Sequence, residues 1–90
     1  MKRYMIERDL PGVGQLKRNE LSAAAAQSNA ALNELKGSAQ WVHSFLSADK
    51  TFCVYFASDE RAIREHARIS GFPASRITEI PAIIDPTTAG

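Results

Sequence analysis

Cysteine is almost missing from this sequence. Cys53 stands alone, so no internal disulfide can form, and the expected compartment is the reducing cytoplasm. Histidine is nearly as scarce: His43 and His66 are the two present, and neither sits in an HxH or HExxH motif. Together with Cys53 they also lack the spacing of a zinc finger. An excess of charge of one sign is absent, the formal net charge being +1. The basic clusters Lys2-Arg3 and Lys17-Arg18 are too short to make the concentrated patch that phosphates require, which excludes a dedicated nucleic-acid surface. No run approaches the roughly 20 apolar residues of a membrane span. The stretch MKRYMIERDL has no apolar core of a signal peptide, so no membrane partner is expected. Gly12 and Gly14 in GVGQLKR lack the third glycine of a dinucleotide fingerprint and the Gly-Lys-Ser/Thr of a P-loop.

What remains is a mixed, apolar-rich chain of 90 residues. At that size folding buries only roughly 60–65% of the unfolded surface. One domain over residues 1–84 is predicted, with 85–90 as a polar tail.

Residues 2–8 alternate, with Tyr4 and Ile6 pointing one way and Arg3, Met5 and Glu7 the other, so a strand is predicted. DLPGVG, residues 9–14, reads as a loop. From Gln15 to Lys36 the spacing of Leu21, Ala25, Ser28, Leu32 and Leu35 predicts a helix, stopped by Gly37. Residues 38–47 and 51–57 read as two strands joined by a turn at 48–50. Ser58 is the expected N-cap of a second helix running to about Ser70 and closed by Gly71. Residues 76–84 make a last strand, placed at an edge or bent by Pro81. The order β-α-β-β-α-β predicts an α+β, ferredoxin-like fold: an antiparallel sheet with two helices on one face. Both sheet faces carry apolar side chains, so the face away from the helices is expected to pack on a second copy, giving a homodimeric α+β barrel.

The register of the hairpin decides which side chains meet. A three-residue turn at Ala48–Lys50 places Tyr55 opposite His43 and Cys53 opposite Phe45, and it is the expected one. A two- or four-residue turn would place Cys53 and Tyr55 with Ser44 instead. On the second helix His66 falls near the middle of the apolar arc of Ala62, Ile63, Ala67 and Ile69, so it is expected to face the sheet and to need a hydrogen-bond partner there. The candidate ligand-binding residues are therefore Glu7, Trp41, His43, Cys53, Tyr55 and His66. The candidate metal ligands are His66, His43 and Cys53, because imidazole and thiolate suit nickel, copper or zinc. An acid–base pocket of His66, Tyr55 and Glu7 is the enzyme version. The structural alternatives are a buried neutral histidine, a small apolar cysteine and packing aromatics.

MIERDLPG, WVHSFLSADKTFCVYFAS, IREHARISGFP and IDPTTA, in that order, resemble a family of small bacterial proteins labelled nickel-binding-protein-like. The resemblance covers nearly the whole chain. It implies a ferredoxin-like fold, a dimer and, for some members, bound nickel ions. Those members carry an Asp-x-His on the first strand, where this chain has Met5-Ile6-Glu7, and a glutamate on the third strand, where it has Phe56. The second-helix histidine is matched by His66, and His43 in WVHS is a feature of this branch. The function expected is a small-ligand or divalent-metal binder, nickel being the first ion to test. A cofactor-free monooxygenase- or isomerase-like enzyme and a non-catalytic dimeric interaction module are the alternatives.

Overall fold

Alternation in the first strand and the aromatic, β-branched run of the third form the centre of the sheet. In the computed structural model, which describes residues 1–90, β1 (Lys2–Asp9) lies between β3 (Lys50–Ala57) and β4 (Arg76–Glu79), and β2 (Ala39–Leu46) flanks β3 on the far side. All three pairings are antiparallel. Strand order β2-β3-β1-β4, with α1 (Arg18–Glu34) and α2 (Glu60–Ser70) as the connections, is the ferredoxin-like fold expected from the element order. No helix is long and apolar enough to cross a membrane.

Burial follows the two-residue period. Tyr4, Ile6 and Arg8 of β1 and Thr51, Cys53, Tyr55 and Ala57 of β3 are buried, and the residues between them are only half-covered. One face therefore meets the helices and the other is open. Ile63 from α2 packs into the covered side at 1% exposure beside Ile6 at 0%. Each such isoleucine contributes about 1.5–3 kcal/mol by leaving water. Small residues on α1 (Ala24, Ala25, Ser28, Ala31) hold it near the sheet without filling the space beneath.

Element ends depart from the sequence reading for local reasons. α1 begins at Arg18 rather than Gln15, because Val13–Gln15 form a separate 3₁₀ turn. That turn is tied to the hairpin: Gly14 N–H donates to Ala48 O at 3.0 Å and Leu10 N–H to Asp49 O at 2.9 Å. The N-cap of α2 is Asp59, whose Oδ1 accepts from Ala62 N–H at 3.1 Å, one residue later than the expected Ser58. Gly71 closes α2 at φ 81°, the left-handed conformation that favours glycine. β4 pairs with β1 alone and stops at Glu79; Ile80 N–H still reaches Arg3 O at 2.8 Å, and Pro81 offers no further donor.

The hairpin register corrects the three-residue turn. Ser44 pairs with Cys53, Phe45 with Phe52 and Leu46 with Thr51, the arrangement of the even-length turn. Between Trp41 and His43 the register shifts: Trp41 pairs with Tyr55 and His43 with Val54, so Val42 is the extra residue of a β-bulge.

Candidate functional site

The bulge determines what β2 presents to the helices. One residue inserted into a period-two strand turns Trp41 and Ser44 to the same face, although three positions separate them. Trp41 Nε1–H donates to Ser44 Oγ at 3.0 Å. The indole stacks on Tyr55, centroids 6.5 Å apart and planes 18° from parallel. Tyr55, brought inward by its place on β3, has its hydroxyl 3.1 Å from Ser28 Oγ on α1. Ser28 also receives His66: Nε2 lies 3.2 Å from Ser28 Oγ and 3.2 Å from Ser28 O. Tyr55, Ser28 and His66 thus form one buried hydrogen-bonded chain linking the sheet to both helices.

Burial sets the protonation of its ends. It pushes the Tyr55 hydroxyl above its ordinary value, opposed in part by the bond to Ser28 and the positive charge of Arg8. It pulls His66 below 6.5, with Arg8 adding to the fall and the Ser28 carbonyl opposing it. The chain is therefore neutral near pH 7.

Beside it lies a cavity of about 490 Å³. Its walls are apolar, drawn from the β1–α1 loop (Leu10, Val13, Leu16), from α1 (Leu21) and from β2 (Leu46). Arg8, Ser28 and Tyr55 are among its few polar lining residues, along with Ser44, Thr51 and the Cys53 thiol. Arg8 is 3% exposed. Its Nη1 donates to Pro73 O at 2.8 Å and lies 3.4 Å from Phe72 O, and its guanidinium sits 6.0 Å from the ring centres of Tyr55 and Phe72. Strand alternation already places Arg8 on the face of Tyr4 and Ile6. Nothing in the composition singles it out, because an arginine is seldom buried.

The structure brings together four of the residues singled out from the sequence. Trp41, Cys53 and Tyr55 line the cavity, and His66 stands behind Ser28 and Tyr55. Glu7 and His43 lie on the opposite face. Glu7 is 3.9 Å from Lys50 Nζ, and His43 is exposed, its ring edge-on to Phe45 at 5.0 Å. The corrected register is the reason for His43, and β1 alternation is the reason for Glu7. Hence His66, Tyr55 and Glu7 do not form one acid–base pocket, nor do His66, His43 and Cys53 form one donor cluster.

The donors within one chain do not fit a nickel ion. No group of three or more His, Cys, Asp or Glu side chains converges on a common point. His66 Nε2 is engaged by Ser28, and Nδ1 is buried without a partner. The Cys53 thiol has Thr51 Oγ1 as its neighbour at 3.4 Å rather than an imidazole or carboxylate.

The family model described as nickel responsive protein SCO4226-like matches residues 4–80 of this chain. The crystal structure of SCO4226 from Streptomyces coelicolor A3(2) superposes with a TM-score of 0.73 at 17% identity, covering 91% of this chain and 99% of that one. At that identity the likeness is one of fold. No curated protein matches the sequence.

Proposed function

The chain belongs to the SCO4226-like family, and we propose that it is a small-ligand-binding protein whose site is the cavity between α1 and the sheet. The observation that carries this reading is the cavity itself. At about 490 Å³ it falls within the roughly 300–1,000 Å³ of small-molecule sites, and it has their composition, apolar walls with a few converging polar groups. Trp41 is the one tryptophan of the chain and lines the cavity, so its emission reports occupancy. A titration of Trp41 emission against a panel of small apolar molecules tests the reading. Ala25→Phe, which places a ring in the cavity, is the blocked control. Saturable binding lost in Ala25→Phe supports the site; no binding by any member of the panel overturns it.

A second reading is nickel binding, favoured by the description of the family. Since no three-donor group exists within one chain, such a site would take donors from more than one copy, and His43 on the open face is the exposed imidazole able to take part. Calorimetric titration with Ni(II), Zn(II) and Cu(II), beside His43→Ala and His66→Ala, tests it. Micromolar binding lost in His43→Ala supports a shared surface site. Binding lost only in His66→Ala would place the metal inside, and absence of binding would end the nickel reading.

A homodimer through the open sheet face is part of the same proposal. That face presents Phe45 at 59% exposure beside the half-covered Met5, Phe52, Val54 and Phe56. An apolar surface of this kind is usually covered by a partner.

A further inference from the structure

Arg8 is the one buried cation of the chain: at 3% exposure it has left water, and no ion pair includes it. The acidic neighbours Glu7 and Asp9 point away from it and are paired with Lys50, at 3.9 and 3.6 Å. What holds Arg8 is neutral: the carbonyls of Pro73 and Phe72, both on Nη1, and the rings of Tyr55 and Phe72, each centred 6.0 Å from the guanidinium. A guanidinium carries five N–H donors in a planar fork, more than two carbonyls on one nitrogen can occupy. Taking a charge out of water without a counter-charge is expensive, and proteins seldom do so without a use for it. Arg8 also lines the cavity, whose lining includes no other Arg and no Lys, His, Asp or Glu.

We propose that the cavity takes an apolar monocarboxylate, its carboxylate paired with the Arg8 guanidinium and its hydrocarbon body lying along Leu10, Val13, Leu16 and Leu21. The proposal rests on the reading that this cavity is a ligand site. A single guanidinium among neutral groups matches one negative charge. A dianionic phosphate would bring a charge with nothing to balance it. The planar carboxylate meets the planar fork with two parallel hydrogen bonds, and exclusion of water by the leucine and valine walls strengthens them. Ser28 and Tyr55, 3.1 Å apart at their hydroxyls, also line the cavity, and the guanidinium lies 6.0 Å from the centre of the Tyr55 ring, so Arg8 has neutral polar neighbours there.

The test compares acids with alcohols of the same length. Trp41 emission is titrated with octanoate, decanoate and 4-phenylbutyrate and with octan-1-ol, decan-1-ol and 4-phenylbutan-1-ol, at pH 7.5. Each acid is expected to bind roughly ten- to a hundredfold more tightly than its alcohol, the ratio a charged hydrogen-bonded pair supplies. In Arg8→Met that preference disappears while the alcohols still bind. In Arg8→Lys, which keeps the charge and loses the fork, it shrinks. A thermal melt checks that both variants fold, and if Arg8→Met does not, the wild-type ratio and Arg8→Lys decide. Alcohols binding as well as acids would overturn the carboxylate and leave the cavity as a ligand site. An acid preference that persists in Arg8→Met would also overturn it. Binding of neither series would remove both the carboxylate and the site.

Discussion

His66 Nε2 lies 3.2 Å from the main-chain carbonyl oxygen of Ser28. A carbonyl oxygen can only accept, so Nε2 carries the hydrogen, and Nδ1, buried and without a partner, holds the lone pair. The imidazole is thereby fixed in one neutral tautomer between α2 and α1. Arg8, the charged group that acts on it, repels a second proton.

Stability should therefore fall in mild acid. Burial holds the folded-state pKa of His66 below 6.5. Above pH 6.5 folded and unfolded chains are both neutral at this position, and its contribution is complete. As pH falls below 6.5 the unfolded chain takes up the proton first, so stability is lost progressively toward the folded-state value. His66→Gln offers an amide N–H in place of the ring and cannot titrate. Urea midpoints measured between pH 7.5 and 5 should drop more steeply for wild type than for His66→Gln. Equal slopes would show that His66 does not control the acid limb.

The bulge at Val42 gives a second prediction, and it marks where the sequence stopped being readable. The strands, both helices and their order along the chain follow from period and from terminating glycines, and these local signals survive folding. The hairpin register does not. Its turn has no glycine to impose a type, and Asp49 is occupied elsewhere, its Oδ1 accepting from Gly12 N–H at 2.9 Å. The β1–α1 loop thus fixes the turn through a contact 37 positions away in sequence. With the register went the placement of His43, and with it the expected histidine–cysteine cluster. Arg8 and Ser28 were legible by position, Arg8 by alternation with Ile6 and Ser28 by the helical spacing from Leu21. Their roles come from depth of burial, which composition does not reveal.

Ser44→Ala tests the bulge directly. It removes the acceptor of the Trp41 indole N–H, a half-buried donor. The expected cost is about 1 kcal/mol, the lower end for leaving a donor unpaired, because the indole keeps some contact with water. Urea unfolding followed by Trp41 emission reads both the midpoint and the local environment. Wild-type stability with unchanged emission would mean that the bond contributes nothing.

Gly14 is held against the hairpin turn so closely that a Cβ there would lie 2.6 Å from Ser47 O and 2.9 Å from Ala48 Cα. Both are main-chain atoms, so relief requires the loop to move. Gly14→Ala should cost about 1–3 kcal/mol, as overpacking does. It should also speed hydrogen exchange at the Leu10 and Gly14 amides, which donate to Asp49 O and Ala48 O. Since Leu10 and Val13 wall the cavity, ligand affinity should fall with it. Unchanged exchange at both amides would mean that the turn accommodates the methyl without releasing the loop.

The proposed dimer makes the sharpest demand on the open face. β3 carries Phe52, Val54 and Phe56 toward it, and Phe56 is partly covered by the Arg3 guanidinium at 5.2 Å from the ring centre. Phe45, opposite Phe52 in the register, has no such cover and is 59% exposed. In a monomer Phe45→Glu replaces an exposed ring with a solvated charge and should leave the melting temperature nearly unchanged. In a sheet-to-sheet dimer the same change sets carboxylates in an apolar interface without partners, which costs several kcal/mol and separates the copies. Light scattering after size exclusion should give twice the 9.9 kDa chain mass for wild type and one chain mass for Phe45→Glu. His43 lies edge-on to Phe45, so the same variant also tests whether any metal binding that depends on His43 requires the dimer. A wild-type mass of one chain at concentrations of about 100 μM would leave the open face without its second copy, and with it the shared nickel site.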